Sequence, residues 1–524
     1  MAWSKNFTDS LNSPSKKIEY GLLFMTGSNN AIYNNSEFLS ESASTRVYLG
    51  EANVIIENVR VTPSRWSLNF GGFTVEVLGD LRKIDGSVFV RGAIAELHML
   101  RDGQFTERVA MGQLRSVSGG RGKWIFQFGD ILSAMNNRFI HDTNDSYVYY
   151  NDIKDRKSKV HTNFDFAIDT KLYVNNVTVF QKGTNSFGMV RVTNSSGDIF
   201  YYLYSAAIVT ASPVGYLQIV NNGYWPSTTT NNVLPVHSLV ESIVFLEDKP
   251  HQIFFKTFMS TGQGTQGPFD TFPAQWGSGL PFSPDIIDSY WDYLEFYAAI
   301  KPSSGEYKFS ISFDEAKSEG FRFLLDKFLN CGMWPVFRQN AFSFRCCQNP
   351  YKAATGTIQA SIFDKDIIQV ESHHLFSPSQ SVSFMESVVT YHKVSTNESK
   401  NLGVKISGRV TDLPKDTNIT RDNRFIYKLE TPNQDDLATK DLNRMAIWDL
   451  QTYEELVITV REFYAILVAG DIVEITSSDL YGVMEGEGKT YQQKRAMVLG
   501  VRWQPNQSRC ILTLGMPFDP NTNS

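Results

Sequence analysis

The sequence predicts a mainly β protein with an α+β middle: two small β-barrel domains, a helix-containing central region and a β insertion. Three observations predict it. Aromatic residues make up 13% of the chain, with 37 Phe and 23 Tyr, and these types favour strands and large contact surfaces. Apolar residues alternate with a period of two over many short runs bounded by Gly, Asn and Asp. The 3.6-residue period of a packed helix is confined to a few stretches. A length of 524 residues accommodates about three or four domains.

Composition excludes several classes. Hydrophobic residues are 42% and charged residues 20%, too apolar and too weakly charged for a disordered chain. The formal net charge is −6 and the pI near 5.8. No basic run is longer than two residues, so a dedicated nucleic-acid face is not expected. Four cysteines cannot staple a chain of this size, which leaves packed cores as the source of stability. The N-terminus has no apolar region of signal-peptide length. No apolar stretch approaches the ~18 residues of a membrane span. The expectation is a soluble protein made in a cytoplasm, without a transmembrane segment.

In chain order, residues 1–45 are rich in Asn, Ser and Thr and read as an N-terminal arm with at most one strand, 20–25. Residues 46–150 form the first β-barrel domain. Val54 and Ile56, Leu68 and Phe70, then Phe73, Val75 and Val77 keep a period of two. Strands at 88–90, 93–100, 107–111 and 124–128 follow. Asp102-Gly103 between two of them is a hairpin signal, because a tight primed turn needs positive φ. Residues 129–160 read as a helix or loop and a polar linker. Residues 151–235 form a β insertion domain with strands 171–180, 187–192 and 199–208 and Asn-Gly, Gly-Thr and Ser-Gly turns. Polar segments flank it, as at a domain boundary.

Residues 236–350 form a mixed α/β domain. It holds a Gly/Pro-rich loop around 259–281 that suits neither helix nor strand, and a helix at 283–300 with Ile287, Trp291, Leu294 and Ala298 on one face. The clearest helix spans about 314–330. Ser312 and Glu315 have capping-box spacing. Phe321, Leu324, Leu325, Phe328 and Leu329 form an apolar stripe, and Gly332 is placed to stop the helix. A hairpin follows, 333–337 and 341–346, turning at Gln339-Asn340. Residues 351–524 form the second β-barrel domain, with strands 384–394, 425–429, 456–460, 472–476, 495–503 and 510–514. One helix interrupts it at 435–449, with Leu437, Leu442, Met445 and Trp448 inward.

No motif defines a catalytic, cofactor or metal site. Gly486–Thr490, GEGKT, lacks the first glycine of a phosphate loop: Val483 stands there, and strands flank the segment. It reads as a hairpin tip. Gly262, Gly264 and Gly267 have dinucleotide-fingerprint spacing without the strand and helix that must frame it. Cys331, Cys346 and Cys347 lack the Cys-x-x-Cys spacing of a metal site, and vicinal cysteines on a strand point to opposite faces. They read as buried apolar thiols. His373-His374 would likewise diverge. No Gly-x-Ser-x-Gly elbow is present. The aromatic runs 145–150 and 199–205 fit either a sugar-stacking platform or ordinary sheet packing, of which packing is the simpler.

Three stretches carry a resemblance. They are RGAIAELHMLRDGQFTERVAMGQLRSV (91–117) with GKWIFQFGDIL (122–132), then DEAKSEGFRFLLDKFLNCGMWPVFRQNAFSFR (314–345), then DLNRMAIWDLQTYEELVITVREFYAILVAGDIVEIT (441–476) with RAMVLGVRWQPNQSRCILTLGM (495–516). In order and pattern they resemble the tail hub proteins of tailed bacteriophages, also called baseplate hub or tail-tip attachment proteins. The family pattern places a first barrel, a helix before a hairpin, then a helix leading into a second barrel that a Gly470-Asp471 turn enters. Residues 161–235 depart from it. The resemblance implies a structural virion protein at the distal tail end, linking the tail tube to tip or fibres; the failed phosphate loop, the absent metal spacing and the missing nucleophile elbow predict no enzymatic activity and no cofactor. It also implies a homotrimer with two barrels per subunit in a pseudo-six-fold ring. The implied partners are the tail tube or distal tail protein, the tape measure protein and tail fibre or tip proteins. The alternative is a carbohydrate-binding or carbohydrate-degrading tail protein using 161–235 and the 262–280 loop.

Overall fold

The computed structural model describes residues 5–12, 17–24, 46–63, 67–78, 91–102, 105–120, 122–134, 157–165, 168–180, 188–197, 199–225, 233–248, 309–313, 325–326, 328–329, 332–338, 341–352, 358–376, 386–393, 398–405, 418–422, 448, 453–482 and 490–517. An early block holds β1 (Ile18–Phe24), β2 (Arg46–Gly50), β3 (Ala52–Glu57), β4 (Arg60–Thr62), β5 (Ser67–Asn69), β6 (Gly72–Leu78), β7 (Ile94–Arg101), β8 (Phe105–Gly120) and β9 (Lys123–Asp130). The middle holds β10 (Lys157–Lys159), β11 (Phe164–Asp165), β12 (Lys171–Val174), β13 (Gly188–Thr193), β14 (Ile199–Ala211), β15 (Val214–Trp225), β16 (Val233–Leu234), β17 (Leu239–Asp248), β18 (Phe309–Phe313), β19 (Met333–Arg338) and β20 (Ala341–Cys346). A late block holds β21 (Ile358–Phe363), β22 (Ile367–Phe376), β23 (Glu386–Lys393), β24 (Glu398–Lys405), β25 (Asn418–Asp422), β26 (Tyr453–Arg461), β27 (Ile472–Tyr481), β28 (Thr490–Gln504) and β29 (Arg509–Pro517). The fold is mainly β, as the period-two patterning predicts.

The sheet topology joins the two expected β-barrel blocks to each other. Among the described residues no ladder closes either block. Both belong to one 13-stranded sheet, in the order β2-β1-β7-β8-β9-β6-β3-β28-β29-β26-β22, with β27 paired to β28 and β21 to β27. The join is antiparallel, Glu57 opposite Arg502 and Ile56 opposite Trp503. The physical reason is a shared core. Val54, Val75, Leu97 and Phe126 of the early block and Leu456, Ile458, Val498 and Leu512 of the late block, all fully buried, belong to one hydrophobic cluster. Burying both apolar faces together leaves β3 with β28 as its hydrogen-bonding neighbour, and the edge is satisfied by joining.

Local pattern sets most strands. In β6, Phe73, Val75 and Val77 point inward and their neighbours do not. β7 departs from alternation because seven of its eight residues are buried. Ala95, Leu97 and Met99 fill the apolar core, while Glu96 and His98 are buried on the opposite face. The turn after β7 differs from the expected two-residue form. Arg101 pairs with Phe105, which leaves three residues in the loop. Asp102 does take positive φ, 51°. It is held there by its N–H to the Lys17 carbonyl (2.8 Å) and by the Lys17 N–H to its Oδ1 (2.8 Å).

The middle has its own sheet, β10-β17-β13-β14-β15-β12, with β18 on β17. It also has its own apolar cluster, including Val160, Leu172, Val190, Phe200, Tyr202, Leu217 and Val240. Strands on both sides of residue 235 belong to it. Ser196-Gly197 is the turn its sequence predicts, with Gly197 at φ 86° and its N–H on the Asn194 carbonyl (3.1 Å). Asn222-Gly223 is not a turn; it lies inside β15. A three-stranded sheet, β24-β23-β25, stands apart.

Of the 314–330 stripe, Leu325, Phe328 and Leu329 are buried; Phe321, Leu324 and Glu315 lie outside the described residues, and Ser312 is in β18. Gly332 at φ 66° ends this segment, its N–H on the Leu329 carbonyl (2.8 Å). The hairpin β19–β20 follows as predicted, and Phe328 meets Phe344 edge to face at 5.2 Å. Trp448 is buried. Leu437, Leu442, Met445, the helix at 283–300 and the Gly/Pro-rich loop lie outside the described residues.

Two stability measurements test this packing. Leu325→Ala should cost about 2–5 kcal/mol in chemical denaturation, because the cavity left by a buried leucine collapses only partly. A loss below about 0.5 kcal/mol would mean that the stripe faces a soft surface. The second concerns Asp130, which ends β9 and accepts the N–H of Leu132 (2.7 Å). Burial pushes its carboxyl up to about 6, against the opposing pull of that N–H. A folded value above the unfolded one means that the fold holds the proton more tightly, so stability falls as pH rises from the usual carboxylate range through 6. Asp130→Asn removes that penalty. Its gain over the wild type should grow by about 2 kcal/mol between pH 4.5 and pH 7.5; a pH-independent difference would contradict it.

Candidate functional site

Two buried side chains of opposite charge meet at the seam where β3 joins β28. On β7 the inward row Ala95, Leu97, Met99 is continued by Arg101, 1% exposed. After β26 the inward row Leu456, Ile458, Val460 is continued by Glu462, 2% exposed. Period two thus carries one cation and one anion into the same core from opposite blocks. Arg101 Nη1 donates to Glu462 Oε2 at 2.9 Å, and Nη2 donates to the Ser10 carbonyl at 3.2 Å. Trp503 Nε1, from β28, donates to Glu462 Oε1 at 3.1 Å. Burial pushes the Glu462 carboxyl up and outweighs the opposing Arg101 charge and the two hydrogen bonds. Burial also raises Tyr20 well above its usual range, with the Glu462 charge adding to it.

A second clamp is one side chain. β28 turns into β29 through Pro505–Gln507, and Ser508 adopts a left-handed conformation (φ 48°). That turn holds Asn506 over the early block. Its Nδ2 donates to the Ala52 carbonyl (2.6 Å); its Oδ1 accepts from the Val54 N–H (3.0 Å) and the Tyr20 hydroxyl (3.0 Å). A side-chain amide donates through its nitrogen and accepts through its oxygen, so this one residue serves all three partners. Beside it the Asn58 N–H reaches the Val501 carbonyl (3.0 Å). Arg60 spans the seam to Glu455 (3.0 Å), and Gly500 faces Arg60, so that a Cβ there would come to 3.1 Å. A cleft of about 450 Å3 opens alongside, lined among others by Glu57, Arg60, Gly71, Glu371 and Arg502. Its charged groups already have partners: Arg502 on Glu57 (3.1 Å) and Glu371 on the Thr459 hydroxyl (2.6 Å).

Other buried charges are held in the same manner. Burial raises the Glu96 carboxyl, but the His98 hydrogen bond and the Arg108 charge outweigh it and hold it below the usual range. Glu454, fully buried, accepts from Tyr491 (2.8 Å) and lies 3.3 Å from His373. His374 diverges from His373, as expected on a strand, and packs on Phe376.

The sequence motifs do not converge on this seam. The loop bearing GEGKT joins antiparallel strands, with Tyr481 opposite Thr490; its residues before Thr490 lie outside the described residues, as do Gly262, Gly264, Gly267, Cys331 and 145–150. Cys346 and Cys347 are buried thiols. Among the described residues no group of His, Cys, Asp and Glu is arranged to hold a metal. In 199–205, Tyr202 and Tyr204 are 2% and 1% exposed and meet Phe164 and Phe180 edge to face, so these two rings are sheet packing. The seam residues Arg101, Glu462, Trp503 and Asn506 were missed by motif reading. Their signal was present: a charge at the end of an apolar alternating row, once in each block and of opposite sign.

No protein-family model matches the chain, and no curated protein matches it. Solved structures similar to it include several tail proteins. The fold is similar to that of the tail protein from Neisseria meningitidis MC58, at 8% identity and a TM-score of 0.38, covering 95% of this chain and 96% of that one. The 43 kDa tail protein of prophage MuSo2 from Shewanella oneidensis is similar at 10% identity and 0.36, covering 95% and 98%. The prophage tail protein gp18 from Listeria monocytogenes EGD-e is similar at 8% identity and 0.36, covering 97% and 95%. At this level the likeness is one of chain course and says nothing of this chain's role.

The seam makes a direct prediction. Arg101→Met leaves Glu462 buried without its cation and should cost about 3–5 kcal/mol. Arg101→Met with Glu462→Gln, which keeps an acceptor for Trp503, should recover most of that loss in urea denaturation. Additive losses would mean that the two side chains do not act as a pair.

Proposed function

We propose that this chain is a non-enzymatic structural protein of a bacteriophage-type tail, the hub that joins the distal end of the tail tube to tip or fibre proteins. The observation that carries the reading is the seam: two strand blocks, far apart in sequence, become one antiparallel sheet over one core, locked by Arg101–Glu462 and Asn506. Such a wall suits load-bearing better than turnover, because its buried charges are spent on each other and its cleft groups are already paired. The sequence resemblance to tail hubs supports the same role, and low charge with many aromatics suits permanent interfaces.

In this reading three copies surround the tail axis, and three early and three late blocks alternate to meet a six-fold tube with closed symmetry. The tube or distal tail protein sits on one side, tip or fibre proteins on the other, and the tape measure protein ends within. The domain order is an arm (1–45), the early block (46–150), a β insertion (151–235, its sheet continuing into β17), a mixed region (236–350) and the late block (351–524). The insertion is peripheral.

Immunogold labelling of purified particles should mark the distal tail end, and particles made without the chain should lack finished tips. Label on the head, or absence from purified particles, would overturn the role. Hydrolysis of peptidoglycan or polysaccharide by the purified chain, abolished by one carboxylate substitution, would overturn its non-enzymatic part.

A further inference from the structure

The sheet of the insertion ends in an exposed turn that the tail role does not use. Its two outer strands meet: Val160 bridges to Val174, the His161 N–H reaches the Tyr173 carbonyl (2.8 Å), and the Asn175 N–H reaches the Lys159 carbonyl (2.9 Å). The strands thus curl round their own apolar cluster, and the β14–β15 turn stands at one end of it. Residues 172–180 and 199–240 contain no Asp, Glu, Lys or Arg. Residues 207–213, AIVTASP, are all exposed, with Ile208 at 39% and Val209 at 51%.

Cross-strand register arranges this end in tiers. Ala211 faces Val214 at the turn; Gly215 stands between Val209 and Val174; Tyr216 stands between Ile208 and Tyr173; Gln218 stands between Ala206 and Lys171. Ile208 and Val209 are successive strand residues and point to opposite faces. A sheet that meets water on one side places polar residues there, whereas this ribbon is apolar on both sides near its turn. The exposed surface is that of the ribbon's two faces, not of a strand edge. The Tyr173 and Tyr216 rings lie 5.4 Å apart, and Lys171 Nζ is 4.9 Å from the centre of the Tyr216 ring. From the turn inward the order is therefore apolar tip, tyrosine pair, one cation. A bilayer interface has the matching order of hydrocarbon, aromatic belt and headgroups. Pro213 to Tyr216 spans ~10 Å at the rise of a strand, the depth that interfacial elements reach and far short of a membrane span.

The turn is also built to enter an apolar phase. The Val177 N–H donates to the Pro213 carbonyl (3.0 Å), and the Thr210 hydroxyl donates to the Val214 carbonyl (3.2 Å). Pro213 has no N–H, so little unpaired backbone goes in with it. Val177 packs on Gly215, where a Cβ would come within 2.4 Å of it, and this holds the turn in place. Residues 207–213 alone fall short of the ~20–30 residues that each side of a stable protein interface contributes.

We propose that the 207–214 turn inserts into the interface of a phospholipid bilayer, with Tyr173 and Tyr216 at headgroup level and Lys171 among the phosphates. This goes beyond the tail role and does not depend on it.

The test is flotation of the purified full chain with protein-free vesicles of phosphatidylethanolamine and phosphatidylglycerol. The wild type should float with the vesicles and still do so at high salt, because the tip carries no charge. Ile208→Asp with Val209→Asp should weaken binding about tenfold or more, since it removes apolar area and adds charge. Ile208→Trp should retain or strengthen it. Both positions are exposed, so circular dichroism and melting should match the wild type; Val209→Asn alone carries the same sign if the aspartate pair disturbs the fold. A wild type that does not float, equal flotation of the wild type and the polar variants, or binding abolished by salt would overturn the proposal. Binding only to vesicles that carry membrane proteins would assign the turn to a protein partner and overturn it equally. Flotation by a chain absent from tails would leave the lipid contact standing and remove the tail role.

Discussion

Two opposite charges held out of water decide the architecture. Arg101 and Glu462 are each almost wholly buried, and neither could remain so alone, since an isolated ion in an apolar interior costs several kcal/mol. Each is the far end of an apolar row belonging to a different strand block. Moving one block relative to the other would strand a charge in hydrocarbon. The pair adds little net stability, because removing both ions from water cancels most of their attraction. It does select one registration, and the two-residue ladder between β3 and β28 is too short to do so by itself.

The same logic recurs where the β19–β20 hairpin meets the late block. Arg345 donates to Asp471 at 3.1 Å, with both side chains out of water. Asp471 also accepts the Val468 N–H (3.0 Å), and Trp334 Nε1 donates to the Ala469 carbonyl (3.1 Å). Gly470, at φ 104°, lies under Arg345 and Trp334, where a Cβ would come within 2.8 Å of the Arg345 stem. Apolar area supplies the driving force at both places, and a few directional bonds choose the orientation.

Period two in Phe73, Val75 and Val77 was legible, as were the β19–β20 hairpin and the glycine stop at Gly332, because each is decided within a few residues. The seam was not legible as a seam. Alternation says which side chains of β3 and β28 face inward, but the identity of a strand's neighbour depends on residues about 450 positions away. Two separate barrels satisfy the same alternation as one shared sheet. β7 misleads in another way: buried on both faces, it places Glu96 and His98 where the pattern alone predicts water. The wet or dry state of Tyr202 and Tyr204 depends in turn on Phe164 and Phe180, which approach from outside their own strand.

The separation across the seam has a consequence for synthesis. Ala52 and the Asn506 that clamps it are 454 residues apart. At a ribosomal rate of ~5–20 residues per second, β3 emerges about 20 to 90 s before its partner strand exists. Through that interval the nascent early block carries Arg101 without Glu462 and an uncapped β3 edge. A ribosome that stops early releases a chain that cannot finish its sheet and stays exposed to proteases and chaperones. Completion of the fold thus depends on full-length translation, since the last strands supply the partners of the first.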